Sequence, residues 1–224
     1  MTVILVLLMF ATFILIDYLR TRRTAPHVAA ANVAAAVSRP ALSGEFVEGF
    51  LVPAKLRYHG GHGWAQLERS RLMRVGVDEF AAALLGKVDA IELPKPGRWV
   101  RQGQKVWNFS RNGEKTEMVS PVEGEIVEVN TEVLKDPSLL SKDTFGQGWL
   151  MTVHVPDEES VRRNFLPVHL VSAWIRDCAA RLFAKQPQLA GPVMADGGRP
   201  IEDFAAALPG VNWRELTQEF LLGQ

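Results

Sequence analysis

Asn112-Gly113 constrains this chain more than any other pair of its residues. A two-residue type I′ turn needs positive φ at both central positions, and Asn-Gly supplies them at little cost. The run from Trp107 to Met118 then reads as two strands meeting at that turn. Placing the turn there sets Arg111 opposite Glu114 and Trp107 opposite Met118, both favourable pairs across a ladder. Turn-forming stretches followed by strands flank the hairpin on both sides, at Pro94-Lys95-Pro96-Gly97 and Pro121-Val122-Glu123-Gly124. A chain that makes this hairpin between two such units is committed here to short antiparallel strands.

The same texture extends from about Phe46 to Val155, where short Val-, Ile- and aromatic-rich runs alternate with Gly/Pro punctuation. Strands are expected at Phe50 to Lys55, Trp64 to Leu67, Met73 to Val77, Ala90 to Leu93, Lys105 to Ser110, Glu117 to Ser120, Gly124 to Val129 and Trp149 to Val155. One short helix interrupts them, Asp78 to Leu85, with Asp78 as N-cap and Gly86 at its end. Ser138 to Leu140 reads as a helical turn.

These residues carry a family resemblance. His62 and Trp64, Val75-Gly76-Val77, Leu85-Gly86, and Glu92-Leu93-Pro94 with Gly97 resemble the first half of the glycine cleavage system H protein. SPVEGEIVEVN and DPSLLSKDTFGQGWLMTV resemble its second half. The likeness covers about half the chain and needs no insertion. It implies a mainly β, barrel-sandwich hybrid fold of the lipoyl-domain type. It also implies a lysine at the hairpin tip that carries lipoate. Counted back from Pro121 without gaps, that position falls on Gly113, and the nearest lysine, Lys115, stands two residues later. Two residues of strand are roughly 6–7 Å. The ungapped count favours a domain with no cofactor; the alternative is lipoate on Lys115.

Other chemistry is sparse. His59 and His62 lack a neighbouring carboxylate or thiol in the sequence, so packing roles are expected and no metal site. Cys178 is the chain's one cysteine and falls on the apolar face of a predicted helix, as a small hydrophobe does. No Ser/His/Asp order or phosphate loop stands out, and no enzyme is expected. Equal counts of basic and acidic residues, 25 each, leave no electrostatic footprint for nucleic acid.

The ends of the chain differ from its middle. Residues 1–23 combine an uncharged apolar run with Arg20, Arg22 and Arg23 after it. This predicts a single-pass inner-membrane anchor over residues 1–19, N-terminus outside and soluble domain in the cytoplasm. Residues 24–45 read as an Ala/Pro linker and 46–155 as the H-protein-like domain. Residues 156–224 form a helical extension: a helix start at Pro156-Asp157, a second helix opened by Pro167, and short segments at Ile201 to Leu208 and Trp213 to Leu222. In the second helix Val168, Val171, Trp174, Ile175 and Leu182 form one stripe expected to be buried. The sum of these features is a membrane-anchored, non-catalytic accessory subunit of a larger, redox-type complex, in which residues 156–224 either cap the domain or dock unknown protein partners. The alternative is a lipoyl carrier modified at Lys115.

Overall fold

Strands form where apolar residues alternate with polar ones, and helices where a cap precedes an apolar run. The computed structural model describes residues 43–185, 203 and 212–222. Contacts divide the chain into Met1–Leu42 and Ser43–Gln224, and every described residue belongs to the second unit. Eleven strands occur among the described residues: β1 (Gly44–Val47), β2 (Phe50–Pro53), β3 (Arg57–His59), β4 (Gly63–Arg69), β5 (Leu72–Val77), β6 (Ala90–Glu92), β7 (Trp99–Val100), β8 (Lys105–Arg111), β9 (Glu114–Val119), β10 (Gly124–Val129) and β11 (Met151–His154). The helices among the described residues are α1 (Glu79–Leu85), α2 (Thr131–Lys135), α3 (Leu139–Lys142), α4 (Glu158–Arg163), α5 (Val168–Ala184) and α6 (Trp213–Leu221).

The strands fall into three sheets: β1-β2, β3-β4-β5-β11-β10-β7 and β6-β8-β9. Each is open, since the outer strands β3 and β7 of the large sheet, and β6 and β9 of the small one, pair on one side only. The expected barrel-sandwich hybrid is therefore corrected to a mixed α/β sandwich of the lipoyl and H-protein type. Its core is shared between sheets and helices. Trp64, Val75, Met151 and Val153 of the large sheet, Trp107, Phe109 and Met118 of the small one, and Leu84 and Leu85 of α1 are all fully buried.

The expected anchor, residues 1–19, lies outside the described residues. Among the described residues no helix is long and apolar enough to cross a membrane. The membrane contact, the transmembrane helix and the single-pass location thus have no support among the described residues. The segment Ile201 to Leu208 also lies outside the described residues except for Asp203.

The extension is corrected as well. In α5 the buried residues are Val171, Ile175, Cys178, Ala179, Leu182 and Phe183, while Val168 is 53% exposed. Val168 opens the helix one turn before its apolar face meets the domain, so it does not belong to the stripe. Trp174 is half-buried and stacks on His62 with ring centroids 4.4 Å apart. Asn212 caps α6, its side chain accepting from the Arg214 and Glu215 amides, and Trp213, Leu216, Phe220 and Leu221 are buried. These apolar faces pack on the chain's own domain, as the capping alternative expects.

Candidate functional site

The turn between β8 and β9 has φ 49° at Asn112 and 81° at Gly113, the positive pair that a type I′ turn requires. Arg111 pairs with Glu114 and Trp107 with Met118, the register expected from the turn. The tip is held from the side by Asp89. The Asn112 amide donates to its carboxylate at 2.6 Å, and its own amide donates to the Ser110 carbonyl at 2.8 Å.

Lys115 and Gly113 thus sit two residues apart on one hairpin but in different settings. Gly113 is the second turn residue, and a Cβ added there would meet nothing within 4 Å. Lys115 is the second residue of β9, opposite Ser110. Its side chain is 61% exposed, and its Nζ donates to Glu92 Oε1 at 2.7 Å. So exposed a pair contributes little to stability and leaves the amine within reach of solvent. The sheet register puts Ala90, Ser110 and Lys115 in one row and Glu92, Asn108 and Glu117 in the next. On the other face Ile91, Trp107, Phe109, Thr116 and Met118 are buried. Chemically the turn end of the hairpin presents an accessible primary amine, Lys115, beside a carboxylate. That is what a covalently attached carboxylic acid such as lipoate requires, so the residues present fit the group at Lys115, whereas Gly113 has no side chain to hold it.

Because Gly113 has open space around it, a substitution there tests conformation alone. Gly113→Val should destabilise the fold by about 1–2 kcal/mol, the cost of left-handed backbone for an L residue. A lower urea midpoint with unchanged slope is the expected result; an unchanged midpoint would mean the turn lies elsewhere.

A second cluster was not legible in the sequence. His62 is 1% exposed, and its Nδ1 lies 2.8 Å from Asp78 Oδ2. The other Asp78 oxygen accepts from the Ala81 amide at 2.8 Å and caps α1. The imidazole is stacked between Phe80 and Trp174, each with its centroid 4.4 Å away, and Cys178 of α5 also interacts with it. Burial alone would lower the His62 pKa. The Asp78 charge and hydrogen bond, with Cys178 added, outweigh it and raise the pKa to about 9. The expectation that His62 has no carboxylate or thiol neighbour is therefore corrected: Asp78 is 16 positions away and Cys178 is on another element. His59 behaves otherwise. Its Nδ1 accepts from the Gly61 amide at 3.1 Å, and burial lowers its pKa. Among the described residues no group of three or more His, Cys, Asp or Glu could hold a metal ion.

A family model described as "Glycine cleavage H-protein" matches residues 56–169. The glycine cleavage system H protein of Thermobifida fusca is 36% identical over 107 residues, 48% of this chain and 84% of that relative. That of Streptomyces coelicolor is 38% identical over 106 residues, 47% of this chain and 85% of the relative. The crystal structure of a glycine cleavage system H protein from Mycobacterium marinum covers 47% of this chain and 87% of its own, at 28% identity and TM-score 0.44. The family match and the curated relatives give no support for a membrane-anchored member that lacks the attachment lysine. That expectation, and the membrane-anchored scaffold built on it, is withdrawn.

Proposed function

We propose a carrier function for this chain, which belongs to the glycine cleavage H-protein family: it holds lipoate in amide linkage on Lys115 and moves a bound group between enzymes. Like the H protein itself, the chain is not an enzyme. The observation that carries the reading is an exposed amine on the second residue past the hairpin turn, in a domain matched along most of its relatives' length. Lys105, the other lysine of the hairpin, stands at its base and pairs with Glu117 at 3.2 Å.

Attachment asks little of the protein beyond presentation. The Lys115 ammonium would first give up a proton; the neutral Nζ would then attack a lipoyl carboxyl activated as an adenylate, the N–C bond forming, the C–O bond to AMP breaking with its electron pair, and Nζ losing a second proton. Once acylated, Nζ is no longer a cation, so its pair with Glu92 is lost. Once bound, lipoate supplies a dithiolane that accepts two electrons and can hold a transferred group. The chain's own part is to keep the hairpin upright through Asp89 and the type I′ turn, and to keep Lys115 on the open face.

The test uses purified full-length protein with a lipoate ligase, lipoate and ATP. Wild type and Lys105→Arg should each gain one lipoyl group, and Lys115→Arg should gain none. Modification that persists in Lys115→Arg would remove Lys115 from this role.

A further inference from the structure

The residues beyond 169 lie outside the family match, yet among the described ones α6 and Asp203 contact the hairpin that carries Lys115. α6 packs along β9. The hydroxyls of Thr217 and Thr116 are 2.7 Å apart and buried, and Thr116 is the chain neighbour of Lys115, facing the opposite side. Arg111, the last residue before the turn, is gripped on two nitrogens by Asp203 at 2.7 and 2.8 Å. Those two side chains are only 12% and 15% exposed, so their paired hydrogen bonds are stronger and more directional than a surface contact. Arg111 and the Trp213 indole both donate to the Leu85 carbonyl, at 3.3 and 3.2 Å. Gly86 makes the approach possible: any Cβ there would run into the Asp203 carboxylate and the Arg111 guanidinium. α6 is in turn tied to α5, through Lys185–Glu219 at 2.7 Å and Arg181 over the Phe220 ring.

The contacts reach both strands of the hairpin, Arg111 on the outgoing one and Thr116 on the returning one. Past the Ala90–Ser110 pair the hairpin has no third strand, and its last pair and turn are tied down by the Asp89 carboxylate and by the Arg111–Asp203 pair. We propose that the C-terminal extension is a positioning brace, in which Asp203 and Thr217 fix the pitch of the hairpin and close one side of it. Partner enzymes then meet Lys115 only from the side bearing Glu92 and Glu117. Asp203 and Thr217 are positioning residues and touch no reacting atom. The proposal rests on the carrier reading for its consequence, and on the contacts alone for the brace.

Full-length protein carrying Asp203→Ala with Thr217→Val is compared with wild type and with Asp203→Glu, which retains the carboxylate. Hydrogen exchange at the amides of residues 112–117 should speed up by about tenfold or more in the double variant, because local opening becomes easier. The lipoate ligase should show a KM for the double variant raised by about tenfold, with kcat unchanged, since geometry and not chemistry is disturbed. Asp203→Glu should stay near wild type in both. Unchanged exchange would overturn the brace. Faster exchange with an unchanged KM would leave a structural contact and overturn the positioning role. A wild type that takes no lipoate would sink the carrier reading and the positioning role with it, while the exchange data would still decide whether the brace exists.

Discussion

Asp78→Ala should destabilise the protein by about 3–5 kcal/mol, the usual result of removing one member of a buried charge pair. Three losses coincide at this residue. His62 is left buried with no counter-charge, α1 loses the cap on its Ala81 amide, and the aromatic stack that holds α5 loses its anchor. Asp78→Asn should cost less, because an amide oxygen can still cap the helix. The same pair gives stability a pH dependence. His62 titrates near 6.5 when unfolded and about 9 when folded, so its contribution is complete below pH 6.5 and is lost as pH rises through 9. The groups facing it are Asp78 on its own side and Cys178 across the contact with α5; Tyr58, also close to Asp78, is pushed far up by burial and by the Asp78 and Glu79 charges. Urea unfolding between pH 6 and 10 should show a falling midpoint in wild type and a flatter profile in Asp78→Asn. Equal profiles would mean that His62 is neutral in the folded state.

Ile175→Asp should cost about 4 kcal/mol or more, because it places an unpaired carboxylate where the side chain is 2% exposed, between α5 and the domain. Ile175 is a better probe than Trp174. A carboxylate at Trp174 would be only half-buried and would lie beside the protonated His62, where it gains a partner. Thermal unfolding of the full chain reads the effect. If Ile175→Asp melts within a degree or two of wild type, α5 does not pack through this face.

What the sequence disclosed and what it withheld follow from how local each signal is. The β8-β9 turn, its register and the capping of α1 by Asp78 depend on residues within a few positions of one another, and all three were read correctly. The turn between β1 and β2 was not, because its Glu48-Gly49 pair reaches positive φ at 50° and 84° without the Asn or Asp that normally marks it. β3, β7 and α2 span two to five residues, too short to show a period. The His62, Asp78 and Cys178 cluster joins a loop, a helix cap and a distant helix, and nothing in the spacing of those residues announces it. The stripe on α5 had the right period. Its first member fell outside because periodicity gives a face and not the point where that face meets its neighbour. At the site itself, the Asn-Gly pair located the hairpin tip, but the accessibility of Lys115 depends on Glu92 and on the side of the sheet it faces.

The central claim is that Lys115 carries lipoate, and mass spectrometry of the full-length protein isolated from its native cells tests it most directly. Peptides spanning residues 105–119 should include a species bearing one lipoyl amide, with the modification on Lys115. That peptide recovered only with a free lysine, from cells whose other lipoyl proteins are fully modified, would contradict the account.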